Sequence, residues 1–173
     1  TLVKNYSTEF WINLVGEFNV YNILAVFSLA QEYGFNEETI LKKLTLLKPA
    51  EGRFQLVRSK DSVTGIIDYA HTDDALKNLL KTINKIRKVN EELIVVFGCG
   101  GERDKSKRLL MTEVACDLSN QVILTSDNPR GESLDSIISD MTNGLDPLHK
   151  EKILIISDRK EAINIAARLA KSK

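Results

Sequence analysis

The order of elements predicts an α/β fold with a mostly parallel sheet and an antiparallel hairpin at its start. Three observations carry this prediction. From residue 72 onward, helical and extended patterns alternate, as parallel βαβ units require. Residues 93–97, Leu-Ile-Val-Val-Phe, form a short apolar run, the pattern of a strand buried on both faces. Before residue 72, extended runs at 53–58 and 63–69 flank the polar turn Ser59-Lys60-Asp61-Ser62, the pattern of a hairpin.

The elements follow in order. Phe10, Ile12 and Leu14 alternate with Trp11, Asn13 and Val15, which predicts a strand over 10–15. Gly16 to Asn19 break it. An apolar helix follows over 20–33, with Asn19 as its cap and Gly34 as its stop. Asn36 caps a short helix through Leu44. The stretch Lys48-Pro49-Ala50-Glu51-Gly52 marks a domain boundary, with 1–50 before it and 51–173 after it. Thr72 caps a helix over 72–89, with Asp73 and Asp74 favourably placed in its first turn. Its buried stripe is Leu76, Leu79, Leu80, Ile83 and Ile86. The 93–97 strand leads through glycines to a helix whose Leu109, Leu110, Val114 and Leu118 share one side. Residues 121–126 form the next strand. Ser133 caps a helix with Leu134, Ile137, Ile138 and Met141 inward. A last strand spans 153–157, and Asp158 with Glu161 reads as a capping box for the final helix.

Bulk properties narrow the function. The 173 residues are 43% hydrophobic and 28% charged, with zero formal net charge. The isoelectric point is about 6.7, so no electrostatic case exists for nucleic acid or an anionic membrane. No apolar run approaches the ~20 residues of a membrane span. Cys99 and Cys116 lack metal-site spacing and suit a reducing, cytoplasmic compartment as buried thiols. With two histidines in the chain, a His-based metal site is not expected. Thr1 is not an initiator and the last helix has no stop signal, so a piece of a longer chain is expected.

The glycine loop fits neither familiar phosphate motif. A dinucleotide fingerprint from Gly98 needs glycine where Arg103 stands, and a P-loop from Gly101 needs Gly-Lys-Ser/Thr where Ser106-Lys107-Arg108 stand. Two readings remain: a tight turn with solvated charges, or a loop whose Arg103 binds a carboxylate or phosphate. Polar residues follow four of the β runs: Asp68 and His71, Arg103 and Asp104, Asp127, Asn128 and Arg130, and Asp158. In a parallel sheet such ends meet at one edge, where open α/β sheets bind ligands. Asn19 and Asn22 lie three apart, on one helical face. They read either as a cap plus a hydrogen-bonded amide or as paired ligand contacts.

Five ordered stretches resemble the Mur ligase family across nearly the whole chain. They are Gly-Glu-Phe-Asn-Val-Tyr-Asn at 16–22, Gly-Arg-Phe-Gln at 52–55, Asp-Tyr-Ala-His-Thr at 68–72, Phe-Gly-Cys-Gly-Gly-Glu-Arg-Asp-Lys at 97–105 and Asp-Asn-Pro-Arg at 127–130. The resemblance implies that residues 1–50 are the tail of a central ATPase domain. Residues 51–173 would then be a Rossmann-like amino-acid-binding domain, truncated at its end. It also implies an ATP-dependent amide ligase, acting through an acyl phosphate. Such an enzyme adds meso-diaminopimelate to UDP-N-acetylmuramoyl-L-alanyl-D-glutamate in peptidoglycan precursor synthesis. Alternatives are an L-lysine-adding relative, a sibling such as folylpolyglutamate synthase, or a non-catalytic amino-acid-binding module.

On the family's pattern, Asn19 and Asn22 lie near adenine, Arg53 reaches the ATP phosphates as the catalytic arginine, and Asp68 binds the ribose. Arg103, Asp127, Asn128 and Arg130 hold the diamino acid. The resemblance implies ATP and Mg²⁺, with the P-loop, the metal ligands and a modified lysine upstream. A closing Gly-Lys-Gly-His-Glu segment is expected beyond residue 173. The expected protein is a monomer, inactive as this piece alone, with no nucleic-acid or membrane partner. Asp73, Leu109 and Ser133 stand where the family usually has proline, at turns or helix starts.

Overall fold

The computed structural model describes residues 2–4, 9–59 and 63–171. It divides into two compact units, one holding residues 1–57 and 65–69, the other 58–64 and 70–173. The turn expected at 60–62 lies outside the described residues.

In the first unit, β1 (Leu2–Lys4) pairs antiparallel with β2 (Glu9–Trp11). The strand expected over 10–15 is therefore shorter. Its ladder stops at Trp11, because its partner covers only three residues. The alternation survives beyond the ladder: Ile12 is buried, and Phe10 and Leu14 pack on the same cluster. That cluster joins Ile12 to Ile23 of α1 (Phe18–Glu32) and to Ile40 and Leu44 of α2 (Glu37–Thr45).

Asn19 does not cap α1. The cap position is Glu17, without a side-chain bond, and Asn19 lies inside the first turn. The helix ends in a Schellman motif at Gly34 (φ 83°), with Gly34 N donating to Gln31 O and Phe35 N to Ala30 O. Although α1 is apolar, Ile23 is its one buried residue, and Tyr21, Leu24, Val26 and Leu29 are exposed. Asn36 does cap α2, its side chain accepting from Thr39 N at 2.8 Å. Acidic residues open that helix and lysines close it, which complements its dipole.

Strands β3 (Gln55–Arg58) and β4 (Thr64–Ile67) form their own two-stranded sheet. A connection this short permits only antiparallel pairing. Asp68 therefore follows a strand of this pair and not one of the parallel sheet, contrary to the strand-end expectation.

The second unit is built on a parallel sheet ordered β5 (Ile94–Phe97), β6 (Gln121–Leu124), β7 (Ile153–Ile155). Val122, Ile123 and Leu124 of the middle strand are completely buried. The edge strand β5 alternates instead, burying Val95 and Phe97. The fully buried strand is thus β6, because it alone has neighbours on both sides. The α/β class with a parallel core and an antiparallel pair is as predicted.

Helix α3 (Asp73–Ile86) begins at Thr72, whose side chain accepts from Ala75 N. Leu76, Leu80 and Ile83 are buried, but Ile86 is exposed. Helix α4 (Ser106–Leu118) packs against α3 and against α5 (Leu134–Thr142). Its buried face is Arg108, Met111, Thr112, Ala115 and Cys116, not the expected leucine side; Leu110 is exposed. Ser133 caps α5 by accepting from Ser136 N. Helix α6 (Pro147–Glu151), absent from the sequence reading, starts at an Asp146 cap with proline at its first position. Asp158 caps α7 (Arg159–Lys171), accepting from Glu161 N at 2.7 Å. Thr72 and Ser133 supply the caps where family prolines are missing, and Leu109 lies within α4.

Candidate functional site

Two loops leave the carboxyl ends of β5 and β6 and press against each other. Thr125 N donates to Phe97 O, and Gly101 N donates to Asn128 O at 2.9 Å. The approach excludes side chains. A Cβ on Gly98 would sit 2.1 Å from Thr125 O, and one on Gly101 would sit 1.8 Å from Pro129 O. These glycines are there because backbone packs on backbone.

The close packing sets Arg103 and Arg130 beside Gly100. A Cβ at Gly100 would lie 3.0 Å from Arg130 Nη1 and 3.8 Å from Arg103 Cγ. Arg130 Nη1 donates to Gly101 O at 2.7 Å. Its backbone is left-handed (φ 49°), as is that of Glu102 (φ 52°). Such a conformation costs a non-glycine residue of order 1 kcal/mol and persists where surroundings enforce it. The loop enforces it through Asp127 Oδ1, which accepts from Asn128 N at 2.7 Å, and Asn128 Oδ1, which accepts from Arg130 N at 3.3 Å. With that oxygen turned inward, the Asn128 amide nitrogen is the end able to donate to a ligand. Arg103, Asp127, Asn128 and Arg130 are all exposed, forming the rim of an open edge.

Beneath the rim lies a group that the sequence reading missed. Arg108 is fully buried. Its Nη1 donates to Glu132 Oε2 (2.9 Å) and Asp140 Oδ2 (2.7 Å), and its Nη2 to Glu132 Oε1 (2.9 Å) and Gly100 O (3.1 Å). Glu132 also accepts from Glu102 N at 2.5 Å and pairs with Lys105 at 3.2 Å. The Arg108 fork, the Glu102 amide and Lys105 hold the Glu132 carboxyl at about 2, well below its ordinary 4.5. The Glu132 and Asp140 hydrogen bonds hold the Arg108 guanidinium protonated, raising its pKa. Cys99 lies in the same floor, where burial pushes its thiol up to about 11. The available signal was spacing: Arg108 falls on the stripe of Met111, Thr112 and Ala115.

Other strand-end residues serve helix starts. Asp104 Oδ1 accepts from Ser106 N and Oγ, and those bonds lower its pKa. Asp158 is occupied as the α7 cap. His71 contributes its carbonyl, which accepts from Lys107 Nζ at 3.1 Å.

The first unit carries the remaining candidates. Arg53 is exposed, with its guanidinium carbon 5.2 Å from the Tyr69 ring centroid, within cation–π range. Asp68 Oδ2 accepts from Phe54 N at 2.8 Å. Phe54 is buried and left-handed (φ 46°), so Asp68 helps to hold a strained residue beside Arg53. Asn19 Nδ2 donates to Val15 O at 2.7 Å, and Asn22 Nδ2 donates to Asn19 Oδ1 at 3.3 Å. The asparagines are thus linked to each other, with Asn22 exposed. Among the described residues no His, Cys, Asp and Glu group of three or more is placed to hold a metal ion. No helix among them is long and apolar enough to cross a membrane.

The second unit is a parallel α/β domain with arginines at the carboxyl edge of its sheet, the edge where open α/β sheets bind ligands. The chain belongs to the Mur ligase family: residues 52–173 match the Mur ligase, glutamate ligase domain. It is 46% identical over 160 residues to the UDP-N-acetylmuramoyl-L-alanyl-D-glutamate--2,6-diaminopimelate ligase of Cytophaga hutchinsonii, covering 92% of this chain and 33% of that protein. A solved UDP-N-acetylmuramoyl-L-alanyl-D-glutamate--2,6-diaminopimelate ligase superposes with a TM-score of 0.63 at 42% identity, over 92% of this chain and 32% of that one. MurF from Acinetobacter baumannii shares the fold, with a TM-score of 0.70 at 19% identity over 95% of this chain and 34% of that one. The chain spans about a third of the length of these relatives.

Proposed function

We propose that this chain is the carboxyl-terminal part of a cytoplasmic, ATP-dependent ligase that joins meso-diaminopimelate to UDP-N-acetylmuramoyl-L-alanyl-D-glutamate. Residues 1–50 are the tail of its central ATPase domain, and residues 51–173 form its amino-acid-binding domain. The observation that carries the substrate assignment is the pair Arg103 and Arg130 beside Gly100, with Asn128 next to them. Lysine and meso-diaminopimelate differ by one distal carboxylate. A guanidinium pre-set by the Gly101 carbonyl offers that carboxylate a charge-assisted bond, and the Asn128 amide adds a neutral one. Lysine would leave the arginines unpaired and bring its own ammonium near them, so it is rejected. The names of the relatives support the same choice.

In the reaction, a substrate carboxylate oxygen attacks the ATP γ-phosphorus, ADP leaves, and a mixed acyl phosphate forms. The diamino-acid amine then attacks the acyl carbon; inorganic phosphate leaves and the amine loses a proton, giving the amide. Arg53 neutralises phosphate charge in the first step, held over Tyr69 until nucleotide binds. Asp68, placed beside Arg53 by its bond from Phe54 N, accepts from a ribose hydroxyl, and Asn19 and Asn22 line the adenine. Arg103, Asp127, Asn128 and Arg130 orient the diamino acid for the second step. Among the described residues no group of three or more His, Cys, Asp or Glu is placed to hold magnesium.

Steady-state assays of the full-length protein with both amino acids test this reading. The expected result is a kcat/KM for meso-diaminopimelate at least a hundredfold above that for lysine. Equal values would refute the substrate assignment.

A further inference from the structure

The rim that binds ligand is exposed, yet its geometry is exact enough to place two left-handed residues, Glu102 and Arg130. Something must hold the two loops in register. Backbone contacts do part of this, through Gly101 N to Asn128 O. The rest comes from below. The Arg108 fork grips the Gly100 carbonyl and both oxygens of Glu132. Glu132 in turn grips the Glu102 amide. One guanidinium and one carboxylate therefore tie together the residues before and after Gly101. The Gly101 carbonyl is the group on which Arg130 rests.

We infer that Arg108 and Glu132 are positioning residues of the amino-acid site, buried beneath it, which set the Arg103–Arg130 pair by clamping Gly100 and Glu102; the inference rests on the amino-acid-site reading above. Neither residue touches the ligand. The charges balance within the cluster: Arg108 and Lys105 against Glu132 and Asp140. Such a balanced network adds little net stability over an apolar floor, but it fixes one arrangement of the loops. Asp140 provides an internal control. It bonds Arg108 from α5 at 2.7 Å, whereas Glu132 bonds the Glu102 amide as well. A role in folding alone would make the two carboxylates differ only in how far stability falls. A positioning role makes Glu132 distinct.

The test compares Glu132→Gln, Asp140→Asn and Arg108→Lys in the full-length protein. Three quantities are read: amide exchange at Gly101 and Glu102, KM for diaminopimelate and for ATP, and the melting temperature. The expected result for Glu132→Gln is at least tenfold faster exchange at Gly101 and Glu102, with Val122 to Leu124 unchanged. Its KM for diaminopimelate should rise at least tenfold, and its KM for ATP less than twofold. Arg108→Lys keeps the charge but loses the fork, so it should follow the same pattern. Asp140→Asn should lower the melting temperature without moving either KM. The inference is overturned if loop exchange is unchanged in Glu132→Gln, if both KM values rise together, if Asp140→Asn matches Glu132→Gln, or if Glu132→Gln and Arg108→Lys both fail to fold. Should the unsubstituted protein not use diaminopimelate, the functional reading falls, and the exchange rates still decide the positioning role.

Discussion

The carboxyl edge of the parallel sheet has two layers, and Arg108 and Arg130 show how differently they work. Arg108 is fully buried, and its two terminal nitrogens make four bonds to Glu132, Asp140 and Gly100. Arg130 is exposed and rests on the Gly101 carbonyl. The floor has committed both terminal nitrogens of Arg108 to the protein, leaving its buried Nε without a partner. The rim side chains face solvent. Removing the floor guanidinium leaves two part-buried carboxylates without their partner, whereas removing a rim charge leaves its surroundings in water.

That contrast predicts the largest effect for Arg108→Met. Two carboxylates lose a buried partner, which costs about 3 kcal/mol, the lower end for a broken buried pair because both reach solvent. Urea titration should show a lower midpoint at unchanged slope. A midpoint equal to that of the parent would erase the distinction between the layers.

Arg130→Ala should invert the pattern. Stability should stay within about 0.5 kcal/mol, as for ordinary surface changes. Loss of a charged hydrogen bond of about 1.5–3 kcal/mol corresponds to roughly a 10- to 150-fold fall in kcat/KM for diaminopimelate. A variant that still prefers diaminopimelate over lysine to the same degree would remove Arg130 from the specificity site.

The floor should also show in acid. Folding lowers the Glu132 pKa from 4.5 to about 2. Its contribution is therefore complete above about 4.5, declines as the pH drops, and is gone below about 2. Comparing chemical denaturation of the parent and Glu132→Gln between pH 5 and pH 2 isolates it. Parallel pH profiles would count against the clamp.

The smallest signal comes from Cys99, whose thiol burial raises to about 11. At pH 8 only about one native thiol in a thousand is ionised, so alkylation should be slow and should accelerate when the floor opens. Folding raises this pKa, so the thiol's contribution is complete below 9, its ordinary value, and is lost as the pH climbs toward 11. Labelling of Cys99 in the native protein as fast as in urea would mean that the floor is already open.

Local signals determined much of this protein. The Thr72, Ser133, Asn36 and Asp158 caps, the Gly34 stop and the alternation of helix and strand each depend on residues within a few positions of one another. So does the presence of polar groups after four of the strands. The tertiary structure decided which of those groups are available. Asp104 and Asp158 are committed to helix starts, and Asp68 ends a strand of a separate sheet. Arg103 and Arg130 both come beside Gly100 because Gly101 packs on the Pro129 carbonyl, a contact between loops far apart in the chain. Burial was equally non-local. Periodicity gives α1 an apolar surface, but only packing says that its Tyr21 and Leu29 stay exposed while Arg108 of α4 is enclosed. A guanidinium goes inside only when distant carboxylates meet it there. Glu132 and Asp140 come from the loop and helix beyond β6, so nothing near Arg108 in the sequence announces them.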